Sequence, residues 1–177
     1  YLTGTNNLIT TAQYFAGLQK DNEAQLIITN ASDTTTGILK ASGKYGAGIG
    51  SGSDRSCNNI TINSGFVDAK SKFGAGIGGG HHGFCDNITI KSGSVNAKSM
   101  HGAGIGSGNY GSCNNITIKS GSVTASSTSG AGIGGGLYGS CNNITISGGS
   151  VNAQVGCTPH QNLDSSGSYD PKSPEVY

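Results

Sequence analysis

The sequence predicts an all-β fold, a right-handed parallel β-helix in which each 28-residue repeat makes one triangular coil of three strands. Three observations carry that expectation. Gly-Ala-Gly-Ile-Gly begins at Gly46, Gly74, Gly102 and Gly130, each start 28 residues after the last. Cysteine recurs on the same period at 57, 85, 113 and 141, as does Asn-Ile-Thr-Ile from Asn59, Asn87, Asn115 and Asn143. The 32 glycines and the hydrophobic fraction of only 33% fit a thin linear core better than a deep globular one.

Along the chain, residues 1–45 read as an N-terminal cap with a degenerate coil, built on Leu26-Ile27-Ile28 and Ile38-Leu39. Leu8-Ile9-Thr10-Thr11 reads as a further strand, and Asp33-Thr34-Thr35-Thr36 as an extra loop. Residues 46–153 hold four 28-residue repeats. Each has three alternating segments, for example Asn115–Ile118, Ser122–Ala125 and Gly130–Ile133, and alternation at period two marks a strand. Between the first two segments lie Ser-Gly or Gly-Gly pairs starting at Ser64, Ser92, Ser120 and Gly148, where a tight corner needs positive φ. Splitting the period into two 14-residue coils is the alternative. It superposes the Asn-Ile-Thr-Ile half on the Gly-Ala-Gly-Ile half, whose side chains differ in size, so one coil per repeat is favoured. Past Ala153 the pattern stops, Cys157-Thr158-Pro159 replaces the next glycine segment, and residues 154–177, with Pro171 and Pro174, read as a C-terminal cap or tail.

Stacking identical coils places like on like. The interior is expected to contain columns of Ile60, Ile88, Ile116 and Ile144, of the isoleucines two residues later, of Val67, Val95, Val123 and Val151, of Ala69, Ala97, Ala125 and Ala153, and of Ile49, Ile77, Ile105 and Ile133. Ten basic and nine acidic residues without a basic run argue against a nucleic-acid partner. No run approaches the roughly 20 apolar residues of a membrane span. The chain opens at Tyr1 without a signal segment, as a processed protein or part of a longer one would.

The phrase Gly130-Ala131-Gly132-Ile133-Gly134-Gly135-Gly136, with Cys-Asn-Asn-Ile-Thr-Ile and Gly-Ser-Val-Asn-Ala, resembles the repeat of glycine-rich β-helix surface and secreted proteins of anaerobic, largely gut-type bacteria and some protists. The resemblance covers residues 46–153. It implies a β-helix, a secreted or wall-attached location and, in some relatives, carbohydrate binding.

One cysteine per coil puts neighbouring Cα atoms about 4.8 Å apart, within disulfide range, so Cys57 with Cys85 and Cys113 with Cys141 are candidate bridges. A reduced column of small apolar side chains is the alternative, and Cys157 is left over in both. A linear stack does not converge as tetrahedral zinc ligands do. Asn30, Asn59, Asn87, Asn115 and Asn143 each begin an N-glycosylation pattern, against which stands an asparagine ladder bonded from coil to coil. The same outward array suggests ice binding, but its third column, Asn63, Lys91, Lys119 and Ser147, includes lysines that match an ordered water lattice poorly.

Carboxylates occur singly in different columns, Asp54, Asp68 and Asp86 among them, so no acid and base pair recurs and the chain reads as a non-enzyme without metal or cofactor. Only Asp54 follows the glycines, unlike a calcium-binding repeat, and His81-His82 occur in one coil alone. What varies between coils is one loop row: Asp54-Arg55, His81-His82, Asn109-Tyr110 and Leu137-Tyr138, with Phe84 nearby. Variation on a rigid frame is where a solenoid places recognition, and these residue types suit sugar. The sequence therefore points to an extracellular or cell-surface structural or adhesive solenoid, self-associating end to end into a filament or array. A carbohydrate-binding module using the loop row is the alternative, and ice binding a third.

Overall fold

The computed structural model describes residues 1–20, 24–32 and 37–155. Among these there is no helix, and every strand belongs to one of three parallel sheets wound about a common axis in about five coils. The first sheet contains β1 (Thr5–Ile9), β4 (Ile38–Ser42), β7 (Phe66–Ser71), β10 (Ser94–Ser99), β13 (Ser122–Ser127) and β16 (Ser150–Val155). The second contains β2 (Leu18–Gln19), β5 (Ile49–Gly50), β8 (Ile77–Gly78), β11 (Ile105–Gly106) and β14 (Ile133–Gly134). The third contains β3 (Leu26–Ile28), β6 (Ser56–Ile62), β9 (Phe84–Ile90), β12 (Ser112–Ile118) and β15 (Ser140–Ile146).

The pairing register settles the coil length. Val67 lies beside Val95, Ile77 beside Ile105, and Cys85 beside both Cys57 and Cys113, so one 28-residue repeat is one coil and the 14-residue alternative is not formed. The columns expected inside are inside: Ile60, Ile88 and Ile116, Ile62, Ile90 and Ile118, and the Val and Ala columns of the middle coils are buried. Cys57–Cys85 and Cys113–Cys141 form the two disulfides, each joining adjacent coils of the third sheet at Cα separations of 4.6 and 4.5 Å.

The corner after the third sheet turns at Gly65, Gly93, Gly121 and Gly149, whose φ values of 101, 95, 95 and 89° are the left-handed conformation expected of the second residue in each Ser-Gly or Gly-Gly pair. The second sheet is much narrower than the sequence suggests. Only Ile49–Gly50 and its repeats pair as strand, because the glycine segment doubles back: the Ala47 N–H donates to Ser51 O at 2.9 Å, and Ala75, Ala103 and Ala131 do the same to Gly79, Ser107 and Gly135. Glycine is required at position 50 and its equivalents, where φ is 132–138°, and at Gly50, Gly78 and Gly106 a Cβ would also run into the carbonyl of the next coil's glycine.

The first coil is more complete than its sequence suggests. Leu18 pairs with Ile49, which aligns Tyr14-Phe15-Ala16-Gly17-Leu18 with Tyr45-Gly46-Ala47-Gly48-Ile49 as a degenerate copy 31 residues upstream. Leu8 and Ile9 lie in β1 as expected, and Leu26 pairs with Ile60. Asn30 Oδ1 accepts from the Gly37 N–H at 3.0 Å, across the insertion; the loop at Asp33–Thr36 lies outside the described residues, as do Cys157 and the tail beyond Val155. At the other end of the described residues, Ile144 and Ile146 are 42% and 51% exposed, although their partners one coil below are fully buried.

Candidate functional site: an aromatic ridge

The doubled-back glycine segment decides what lies at the surface beside it. The residues on which the chain enters the segment, Tyr45, Phe73 and His101, are brought alongside those on which it leaves, Asp54, His82, Tyr110 and Tyr138. Backbone bonds fasten the two rows: the His81 N–H donates to Tyr45 O at 2.8 Å, Asn109 N–H to Phe73 O at 2.9 Å, and Leu137 N–H to His101 O at 2.8 Å.

Three columns result. In the entering column Tyr14, Tyr45, Phe73 and His101 stack with ring centres 5.5, 4.6 and 5.0 Å apart. In the leaving column His82, Tyr110 and Tyr138 stack at 5.1 and 4.9 Å, following the coil spacing. His81 stands between them, edge-on to Tyr45, Phe73, His82 and Tyr110, and joins eight rings into one continuous ridge. Burial, with a contribution from neighbouring His82, lowers the pKa of His81 from its ordinary value, against an opposing pull from Asp54.

The leaving column is held in an unusual backbone. Asp54, His82, Tyr110 and Tyr138 all have φ of 53–57°, the left-handed region that bulky side chains avoid. Asn59, Asn87, Asn115 and Asn143 occupy the same region at 55–57°, but asparagine tolerates it well. Keeping tyrosine and histidine there costs of order 1 kcal/mol each, a pattern that clusters at functional sites. Beside them, Asn109 Oδ1 and His101 Nδ1 are buried without a hydrogen-bond partner among the described residues, a second local cost.

Of the loop-row residues singled out in the sequence, Asp54, His82, Tyr110 and Tyr138 form the leaving column, and His81, Asn109 and Leu137 the inner one. Asp54 accepts from Ser53 Oγ at 2.7 Å. Arg55 and Phe84 are not brought to the ridge; Phe84 opens β9 on the outer face of the third sheet, between Ser56 and Ser112. The entering column was not anticipated. Its signal is in the sequence, since the residue preceding Gly46, Gly74 and Gly102 is aromatic or imidazole at the repeat period.

The third sheet carries the asparagine ladder. Nδ2 of Asn87, Asn115 and Asn143 each donates to Oδ1 of the asparagine one coil below at 3.2 Å, so the nitrogen a glycan would occupy is the rung of the ladder. A second rung joins Asn142 to Asn114 at 3.1 Å. No group of three or more His, Cys, Asp or Glu among the described residues is placed to hold a metal ion.

A family model described as Beta helix repeat matches residues 37–53, 60–81, 88–109, 116–137 and 144–167, more than half of the chain. No curated protein and no solved structure matches it. Four of the five matched segments end at or within two residues of a ridge residue, at 53, 81, 109 and 137.

Proposed function

The chain belongs to the β-helix repeat family, and from that premise we propose an extracellular adhesive scaffold, a rigid solenoid that offers its aromatic ridge to surface glycans. The observation that carries this reading is the ridge itself, eight rings in unbroken contact along one corner, half of them kept there against backbone preference or burial cost. Two disulfides between adjacent coils suit an oxidising location. The resemblance to secreted and wall-attached bacterial proteins supports the same setting.

On this reading the stacking limits how sugar is met. Ring faces within each column cover one another, so a sugar cannot lie flat on them as it does on an isolated tryptophan or tyrosine. What faces solvent is ring edges, the hydroxyls of Tyr110 and Tyr138 and the histidine edges, plus open faces at column ends, on Tyr138, which is 72% exposed, and on Tyr14, which is 63% exposed. Recognition then runs along the ridge through hydrogen bonds, with stacking contacts confined to column ends such as Tyr138 and Tyr14.

A glycan array including mucin and plant polysaccharides tests this with the 177-residue protein. Retention of at least one class is expected, and its loss in Tyr110→Ser and Tyr138→Ala. Retention of none would abandon the reading.

A second reading, assembly into filaments, is supported by the open end of the last described coil, where Ile144, Ile146 and Val155 are exposed and the outer edges of β14, β15 and β16 have no strand partner among the described residues. Sedimentation velocity over a concentration series distinguishes it: rods that lengthen with concentration support assembly, and a single small species at all concentrations excludes it.

A further inference from the structure

The ridge does not stand alone at its corner. We propose that its ligand is an anionic polysaccharide, bearing sulfate or carboxylate, held by the ridge together with a lysine patch on the adjoining edge of the first sheet; this deepens the glycan reading and rests on it.

The first observation is how charge is distributed. The whole chain has a formal charge of only +1, yet nine of its ten cationic side chains lie among the described residues against three of its nine carboxylates, Asp54, Asp68 and Asp86. Among the described residues the balance is therefore basic. Four of those cations gather beside the ridge. Lys70 and Lys98 are direct register partners on β7 and β10. Lys44 and Lys72 lie two residues beyond the corresponding positions, in consecutive coils, tied by the Phe73 N–H to Lys44 O and the His101 N–H to Lys72 O, both 2.8 Å.

Like charges directly opposite on neighbouring strands repel. Here the repulsion is only partly relieved: the sole ion pair among the described residues joins Lys70 to Asp68 at 2.9 Å, and Asp68 also receives the Asn96 amide at 2.9 Å. Lys44 donates to the neutral Gln13 side chain at 3.2 Å. Lys44, Lys72 and Lys98 thus present their charge without a carboxylate partner among the described residues, in a form that a multivalent anion satisfies.

The patch is continuous with the ridge. Lys44 Nζ is 5.5 Å from the ring centre of Tyr45 and Lys72 Nζ is 5.3 Å from that of Phe73. Aromatic rings are positively polarised at their edges, and edges are what these stacked columns turn outward, so ridge and lysines attract the same kind of group. Beyond Lys98 a groove of about 540 Å³ continues toward the next coils, lined by Ser126, Thr128 and Gln154 among others, with no carboxylate among the described residues that line it. Anionic groups fit the lysines, and sugar hydroxyls the groove. Single-stranded nucleic acid fits poorly, because bases need free ring faces to stack on and these faces are taken up within the columns.

The test uses the 177-residue protein on immobilised heparin, on the same polymer chemically desulfated and N-acetylated, on a neutral polysaccharide and on single-stranded DNA. Retention on heparin is expected, weakened by salt and about tenfold weaker for Lys72→Gln/Lys98→Gln, which removes two of the patch's exposed charges. Lys91→Gln/Lys119→Gln, which removes the same charge on the other side of the solenoid, is expected to bind as the unaltered protein does. Equal losses in the two double variants, or retention on DNA matching that on heparin, would overturn the proposal. Binding to neutral and anionic polymers alike would overturn it and leave the glycan reading standing. Retention on none of the polysaccharides removes both.

Discussion

At the scale of single residues, the two left-handed rows pose the same backbone problem and answer it differently. Asn59 and its repeats use the residue type that fits, and their amides bond from coil to coil. His82, Tyr110 and Tyr138 do not fit, and what they return is a stacked ring. Tyr138→Asn exploits the contrast. Relief of the backbone, about 1 kcal/mol, offsets a lost stacking contact of about the same size, so the melting temperature is expected to stay nearly unchanged while glycan retention falls. A drop in stability with retention intact would make Tyr138 merely structural. His81 supplies a pH dependence. Burial, then His82, lowers its folded pKa, whereas an unfolded-chain histidine titrates near about 6.5, so below that pH the unfolded state binds more protons. The stabilisation from a neutral His81 is thus fully present above about pH 6.5 and is lost as pH falls toward the lowered value. Thermal melts from pH 7.5 to 5 are expected to show a decline that His81→Gln flattens.

At the scale of elements, the glycine segment is the part that has no ordinary strand chemistry to hold it. A serine column does so instead. Ser99 Oγ donates to Gly74 O at 2.7 Å and accepts from the Gly102 N–H at 2.9 Å, and Ser127 repeats this with Gly102 and Gly130. Because Ser99 is buried, Ser99→Ala leaves two backbone groups without a partner and is expected to cost about 1–3 kcal/mol in denaturant unfolding. Ser71→Ala is expected to cost less, since Ser71 is half-buried and water can replace it. In the same sheet, two residues before the serines, the Ala41, Ala69, Ala97 and Ala125 column is buried to within 3% of completely. Ala97→Phe forces a ring between two sheets and is expected to lose at least about 3 kcal/mol or to leave the protein insoluble.

For the whole molecule, each coil touches only the coils above and below it, so stability is close to a sum over neighbours. The same substitution should then have a position-dependent cost. Ile116 and Ile144 occupy one column one coil apart, but the first is fully buried and the second 42% exposed. Ile116→Ala is expected to cost about 2–5 kcal/mol and Ile144→Ala less than half as much, measured by denaturant midpoint. Equal costs would mean that the end coil is covered in solution, by the rest of the chain or by a second copy, and repeating the measurement at lower protein concentration separates the two, since only cover by a second copy is lost on dilution.

The sequence by itself determined the coil, its length, its three walls and its interior columns, because a strict 28-residue repeat leaves each residue one kind of neighbour, its own copy. The Ser-Gly corners, the cysteine pairs and the asparagine ladder were legible for the same reason. The loop row was legible too, as the place where the copies differ. Tertiary structure alone decided that the glycine segment doubles back, since one cross-loop bond from Ala47 to Ser51 closes a wall that alternation would have kept straight. That closure sets residue 45 beside residue 81, brings Tyr14, Tyr45, Phe73 and His101 against the loop row, and leaves Phe84 and Arg55 outside it. Periodicity names what stacks along the axis; which columns meet across a corner depends on how sharply the chain turns there, and glycine, free to turn many ways, carries no record of which turn it takes.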